Sequence, residues 1–234
     1  MTHNGYYGKS FSFLGDSIST LEGCNPEGYN VFYTKEKCLT AGIKDVSDTW
    51  WGMVTEHFSA RLLVNNSWSG SQVAKLPDRE ELFPSGCSDE RTSALHLCDE
   101  MPDVIVVYLG TNDWYHGASP ECSIDIQRLK DQSFRYAYNN MLTKLKRNYP
   151  EAEIWCWTLS ISDAGKSAEG FPFERMGVHM KVYCDIIKEL AAEKGCRLID
   201  IYSHLTPYDT VDGFHPSAKG MKALAGIVIE EAQK

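Results

Sequence analysis

The chain has 234 residues, 43% of them hydrophobic and 24% charged, an ordinary globular composition long enough to bury one substantial core. A formal net charge of -9 argues against a nucleic-acid binder, which would carry a basic patch. The longest apolar runs are far too short to span a bilayer, so neither nucleic acid nor membrane is an expected partner.

Eight cysteines stand at positions 24, 38, 87, 98, 122, 156, 184 and 196 with no Cys-x-x-Cys pair. That is not zinc spacing, and a disulfide framework is not expected in a chain of this length. The stretch from Met1 to Lys9 has no apolar signal core. Reduced thiols in a cytoplasmic protein are the resulting expectation, and the Asn65-Asn66-Ser67 sequon is then incidental. The basic group Lys144 to Arg147 falls inside a helical pattern and reads as a solvated face.

In chain order, Phe11, Phe13 and Leu14 form a short strand-like run that Gly15-Asp16 ends abruptly. Ser17 therefore sits at the C-terminal lip of a buried strand, where open α/β sheets bind ligands. A long polar segment over 20–47 has no strong period and reads as an excursion or lid. Asp48 is a candidate cap for a helix through Trp50, Trp51, Val54 and Phe58. Leu62 to Val64 reads as a strand, followed by a turn through Asn65-Asn66-Ser67-Trp68-Ser69-Gly70.

Residues 76–91 form a second irregular stretch, and Asp89 to Leu97 a short helix. The clearest strand is Val104 to Leu109, a β-branched run buried on both faces, which ends in Gly110-Thr111-Asn112-Asp113. A helical pattern covers about 123–147, with Ile126, Leu129, Phe134, Tyr138, Met141, Leu142 and Leu145 as core positions. Ile154 to Trp157 is a fourth strand. A helix from about Arg175 to Lys194 ends at Gly195, and Arg197 to Asp200 makes a fifth strand. Asp212-Gly213-Phe214-His215-Pro216 opens a last helix, Ser217 to Ala232. Strands alternating with helices indicate one α/β domain over 1–234, a parallel sheet wrapped on both sides.

Three of the turns, at Ser17, Gly70 and Asn112, follow strand-like runs, so a parallel sheet gathers them at one edge. The Asp212–His215 pair opens the final helix. Serine is a poor nucleophile until an imidazole takes its proton; His215 can do this, and Asp212 lies close enough to orient the ring. The amides of Ser17 and Gly70 and the Asn112 side chain could stabilise a developing oxyanion. Each part has a plain alternative: Gly-Asp-Ser as a loop start, Asp-x-x-His as a turn with a satisfied histidine, Gly70 as a turn glycine, Asn112 as a cap or Asx-turn. Coincidence of all four, in order and each beside its strand or helix, favours the site.

These blocks, Gly15-Asp16-Ser17, Asn65 to Gly70, Gly110-Thr111-Asn112-Asp113 and Asp212-Gly213-Phe214-His215-Pro216, resemble those of the SGNH (GDSL-type) hydrolases and span the chain in the family's order. The resemblance implies a flavodoxin-like three-layer α/β/α sandwich with a five-stranded parallel sheet, and ester hydrolysis through an acyl-serine without metal or cofactor. It assigns Ser17 as nucleophile, Asp212 and His215 as its partners, and Ser17, Gly70 and Asn112 as oxyanion donors. Two departures stand out: Ile18 replaces the usual leucine, and Ser67 stands where the family often has glycine. The nucleophile elbow Gly-x-Ser-x-Gly is absent, which disfavours the ordinary α/β-hydrolase fold.

For the substrate, Trp68 and Trp114 lie two residues from Gly70 and Asn112, and Tyr115 follows. Flat rings with a polar edge suit a sugar face, and Asp16, Asp113 and His116 could serve as polar contacts. Arg91 is a candidate contact for an anionic group, against the plain reading of a surface ion pair. Trp50 and Trp51 read as core residues of an amphipathic helix. The absence of a long apolar lid points to short acyl groups, most simply acetyl esters of a small molecule or oligosaccharide. A lysophospholipase or thioesterase is the alternative within the enzyme class. A flavodoxin-like binding module for glycan or nucleotide is the alternative outside it, although no phosphate-cradling glycine loop occurs.

Overall fold

A computed structural model describes residues 5–77, 82–121, 127–162 and 173–234. Cys122 and Ile126 lie outside the described residues, as does the Leu129 side chain.

In chain order the elements are β1 (Ser10–Gly15), α1 (Lys35–Ala41), α2 (Trp50–His57), β2 (Arg61–Ser67), α3 (Asp89–Ser93), β3 (Val104–Tyr108) and α4 (Thr111–His116). Then follow α5 (Phe134–Asn148), β4 (Glu153–Trp157), β5 (Glu174–Arg175), β6 (Val178–His179), α6 (Met180–Lys194), β7 (Arg197–Ile199) and α7 (Ala218–Ala232). Five strands form one parallel sheet in the order β2-β1-β3-β4-β7, the flavodoxin-like arrangement.

Alternate residues of the strands feed two cores, because successive side chains point to opposite faces. Phe11, Phe13, Val104, Val106, Trp155 and Trp157 pack with Trp50 and Trp51 of α2 and with Leu224 and Val228 of α7. Leu14, Ile105, Val107 and Cys156 pack with Met141 and Leu145 of α5 and Ile187 of α6 on the other side. The result is a three-layer α/β/α sandwich whose strands are covered on both faces. Trp50 and Trp51 are core residues, as the helical spacing predicts.

Several boundaries differ from the sequence reading. The cap of α2 is Thr49, whose hydroxyl accepts from the Gly52 amide at 3.0 Å; Asp48 instead ends the preceding 3-10 turn Val46–Asp48. The segment over 20–47 holds the short helix α1. The long helical pattern splits into a 3-10 turn, Gln127–Gln132, and α5, with Ser133 at the junction. The expected start of α6 is taken by the β5–β6 hairpin, whose turn residues Met176 and Gly177 both have positive φ, the backbone of a two-residue hairpin turn. The seven described cysteines are free thiols. Asn65 of the sequon is 2% exposed and donates to the Ser19 carbonyl at 2.8 Å. Among the described residues no helix is long and apolar enough to cross a membrane.

Candidate active site

At the C-terminal edge of the sheet, where strand order reverses around β1, the chain leaves β1 through Gly15-Asp16-Ser17. A side chain at Gly15 would meet the hydroxyls of Ser19 and Ser67 at 2.8 Å each, so only glycine fits so close an approach. The buried Asp16 carboxylate then accepts from the Ile18 amide at 3.0 Å, fixing the 3-10 turn Ser17–Ser19. Ser17 is 8% exposed.

From the other end of the chain, the loop before α7 brings in Asp212 and His215. Asp212 Oδ1 accepts from the amides of Phe214 at 3.1 Å and His215 at 2.8 Å. Its Oδ2 lies 2.7 Å from His215 Nδ1. His215 Nε2 lies 2.8 Å from Ser17 Oγ. With Nδ1–H donated to the carboxylate, Nε2 is the acceptor for the Ser17 hydroxyl. Burial raises the Asp212 carboxyl, but the bonds from the His215 ring and amide and from Phe214 outweigh it and bring the pKa down to about 2. The loop is pinned from below, by Tyr33 donating to the Pro216 carbonyl at 2.7 Å and Tyr208 to that of Phe214 at 2.8 Å. Phe32 packs flat against the imidazole.

A cavity of about 230 Å³ opens over these atoms, lined by Asp16, Ser17, Ile18, Thr111, Asn112, Tyr115, His116, Phe214 and His215. Asn112 Nδ2 donates to the Ser71 carbonyl at 3.0 Å and makes a longer contact, 3.4 Å, with Asp16 Oδ2. Gly70 sits in the turn beside Ser71 with φ of +83°, backbone that favours glycine, but it does not line this cavity.

The candidate substrate contacts divide. Asp16 lines the cavity, with one carboxyl oxygen on the Ile18 amide and the other beside Asn112 Nδ2; burial raises its pKa to about 7 against the opposing bond from Ile18. Asp113 does not reach the site. It is fully buried and accepts from the Val73 and Ala74 amides at 2.9 and 2.8 Å, and burial raises it to about 6. Trp114 is a core residue whose indole donates to the Val178 carbonyl at 3.2 Å. Arg91 is also fully buried, bonded to protein acceptors rather than presented to solvent. Trp68 packs against Tyr29, with centroids 4.1 Å apart and planes tilted by 36°, and lies outside the cavity lining.

The reason is helical. Gly110 to Asp113 reads as a turn, but α4 begins at Thr111, so Asn112, Tyr115 and His116 share one face while Asp113 and Trp114 turn inward. The helical period from Asn112 was the signal that picks out Tyr115 and His116. Nothing local marked Phe32 or Phe214.

The family model for GDSL-like lipase/acylhydrolase matches residues 9–169, and the chain belongs to that family. The match ends before Asp212 and His215, which join the site through geometry. A candidate GDSL-like lipase from Bacteroides uniformis ATCC 8492 superposes with a TM-score of 0.74 at 27% identity, over 97% of this chain and 96% of that one. Another, from Bacteroides ovatus ATCC 8483, gives 0.72 at 24% identity with the same coverage and has the same fold. No curated protein matches the sequence.

Proposed function

We propose that the chain is a serine esterase for short acyl groups, most simply acetyl esters carried on a carbohydrate. Ser17 Oγ attacks the ester carbonyl carbon while His215 Nε2 takes its proton. Asp212 holds the ring in the required tautomer and stabilises the imidazolium. The negative oxygen of the tetrahedral intermediate is met by the amides of Ser17 and Gly70 and by Asn112 Nδ2, whose long contact to Asp16 is the weaker of its two. Collapse returns the proton from His215 to the departing alkoxide and leaves an acyl-serine. Water, deprotonated by the same histidine, then releases the acid.

The observation that carries this reading is the bonded series Ser17 Oγ, His215 Nε2, His215 Nδ1, Asp212 Oδ2, with links of 2.8 and 2.7 Å. The short-acyl preference rests on size. About 230 Å³ lies below the ~300–1,000 Å³ of pockets that enclose drug-sized ligands. The polar edges of Tyr115 and His116 could bond sugar hydroxyls at the rim.

The test compares turnover of nitrophenyl esters from acetyl to octanoyl and beyond, followed by acetylated oligosaccharides, acyl-thioesters and lysolipids. Acetyl esters are expected to lead. A clear preference for octanoyl or longer chains would transfer the assignment to a lipid-type acylhydrolase. No fluorophosphonate adduct on Ser17 would instead point to a binding module.

A further inference from the structure

Arg91 is 0% exposed, and each of its five N–H groups has an acceptor. Nε donates to Asn66 Oδ1 at 2.7 Å; Nη1 donates to Ser71 Oγ at 2.8 Å and the Pro84 carbonyl at 3.3 Å. Nη2 donates to the carbonyls of Gly15 at 3.1 Å and Asn66 at 2.9 Å. All five acceptors are neutral. A buried cation without a bonded counter-ion is expensive, and a well-packed apolar side chain commonly does as well or better for stability. Stability alone therefore gives weak reason for a guanidinium here.

Its acceptors supply a stronger one. Gly15 stands two residues before Ser17, and its carbonyl also accepts from the Trp68 amide at 3.1 Å. Ser71 follows Gly70 directly. The Ser71 carbonyl in turn accepts from Asn112 Nδ2 at 3.0 Å. One planar fork thus ties the turn before the nucleophile to the loop holding the second donor, and through Ser71 to the third. No other described side chain bonds to all of Gly15, Asn66 and Ser71.

We propose that Arg91 is a positioning residue that holds the three oxyanion donors in mutual register; this rests on the esterase reading above. Errors of about 1 Å at such a site can cost ~10²-fold in rate, so the guanidinium's geometry matters more than its charge. Lysine offers three donors from a single point and cannot reproduce the fork.

The experiment measures kcat, KM and melting temperature for Arg91→Lys, Arg91→Met and Ser71→Ala on an acetyl nitrophenyl ester. In both Arg91 variants kcat is expected to fall ~10²–10³-fold, the scale of losing one oxyanion donor, while KM stays within ~3-fold. Added guanidinium ion should restore part of the rate of Arg91→Met. A cooperatively folded Arg91→Lys with wild-type kcat overturns the proposal. If neither Arg91 variant folds, Ser71→Ala decides: a lower kcat at near-normal melting temperature supports register-keeping, and an unchanged kcat overturns it. Wild-type protein inert to both ester and fluorophosphonate would count against the Ser17 reading instead, so the two failures are distinct.

Discussion

The Phe32 ring lies face to face with the imidazole of His215, their centroids 3.4 Å apart and their planes 10° from parallel. Phe32 is itself held in place, its amide donating to Thr20 Oγ1 at 3.0 Å while that hydroxyl donates to the Ser17 carbonyl at 2.8 Å. The segment that carries Ser17 thus also places the ring that braces His215. Replacing Phe32 by alanine should lower kcat/KM about 2- to 10-fold, from the ~0.5–1.5 kcal/mol of an aromatic contact. Phe32→Tyr should stay near wild type. Equal rates for alanine and wild type in steady-state kinetics would remove the ring from the positioning of His215.

His215→Ala is expected to lower kcat by ~10⁴-fold or more, and Asp212→Asn by up to ~10⁴-fold, since the amide leaves the ring in the wrong tautomer. Combining either with Ser17→Ala should add little, because residues that act as a unit are not additive. Single-turnover assays on an activated acetyl ester check this. A near-normal rate for His215→Ala would take the imidazole out of the mechanism.

Two buried carboxyls give stability a pH slope of definite sign. Asp16 and Asp113 rise from 3.8 to about 7 and about 6, so between pH ~4 and those values the folded chain keeps protons that the unfolded chain has released. Stability from these groups is full below pH ~4 and declines as pH rises through 6 and 7, by at most ~1.4 kcal/mol per pH unit for each. Asp212 works the other way: its contribution is present above pH ~4 and lost as pH falls through about 2. Urea unfolding at pH 4.5, 6 and 8 should show the decline, and Asp16→Asn should flatten its upper half. A stability that climbs steadily over that range would contradict both assignments.

Trp114 gives a test of what is core and what is pocket. Trp114→Phe removes the indole bond to the Val178 carbonyl and part of a fully buried side chain. The melting temperature should drop by several degrees, reflecting ~1–3 kcal/mol, with KM for sugar esters unchanged. A selective rise in KM at constant stability would return Trp114 to the substrate.

The sheet and three of the loops at its edge were legible because each depends on short-range signals: an apolar strand-like run, then a glycine or asparagine where the chain must turn. Ser17, Asn112, Asp212 and His215 were named because four individually weak signals coincide along the chain in the order of a known family's blocks. Asp113 and Trp114 were misplaced for one shared reason. Proximity in sequence to a reacting residue says nothing of side-chain direction, and one helical step carries a residue from cavity to core. Arg91 was harder still, since its five acceptors come from stretches up to 76 residues away and no local pattern marks a buried guanidinium. Phe32 lies in a segment without period, where only the folded chain shows which ring meets the imidazole.

Ser17 and His215 are separated by 198 positions, so their contact exists only once the β1 loop and the loop before α7 have both reached the same edge of the sheet. A cut that removed α7 together with its leading loop would take the imidazole away from Ser17 while leaving all five strands of the sheet in the chain.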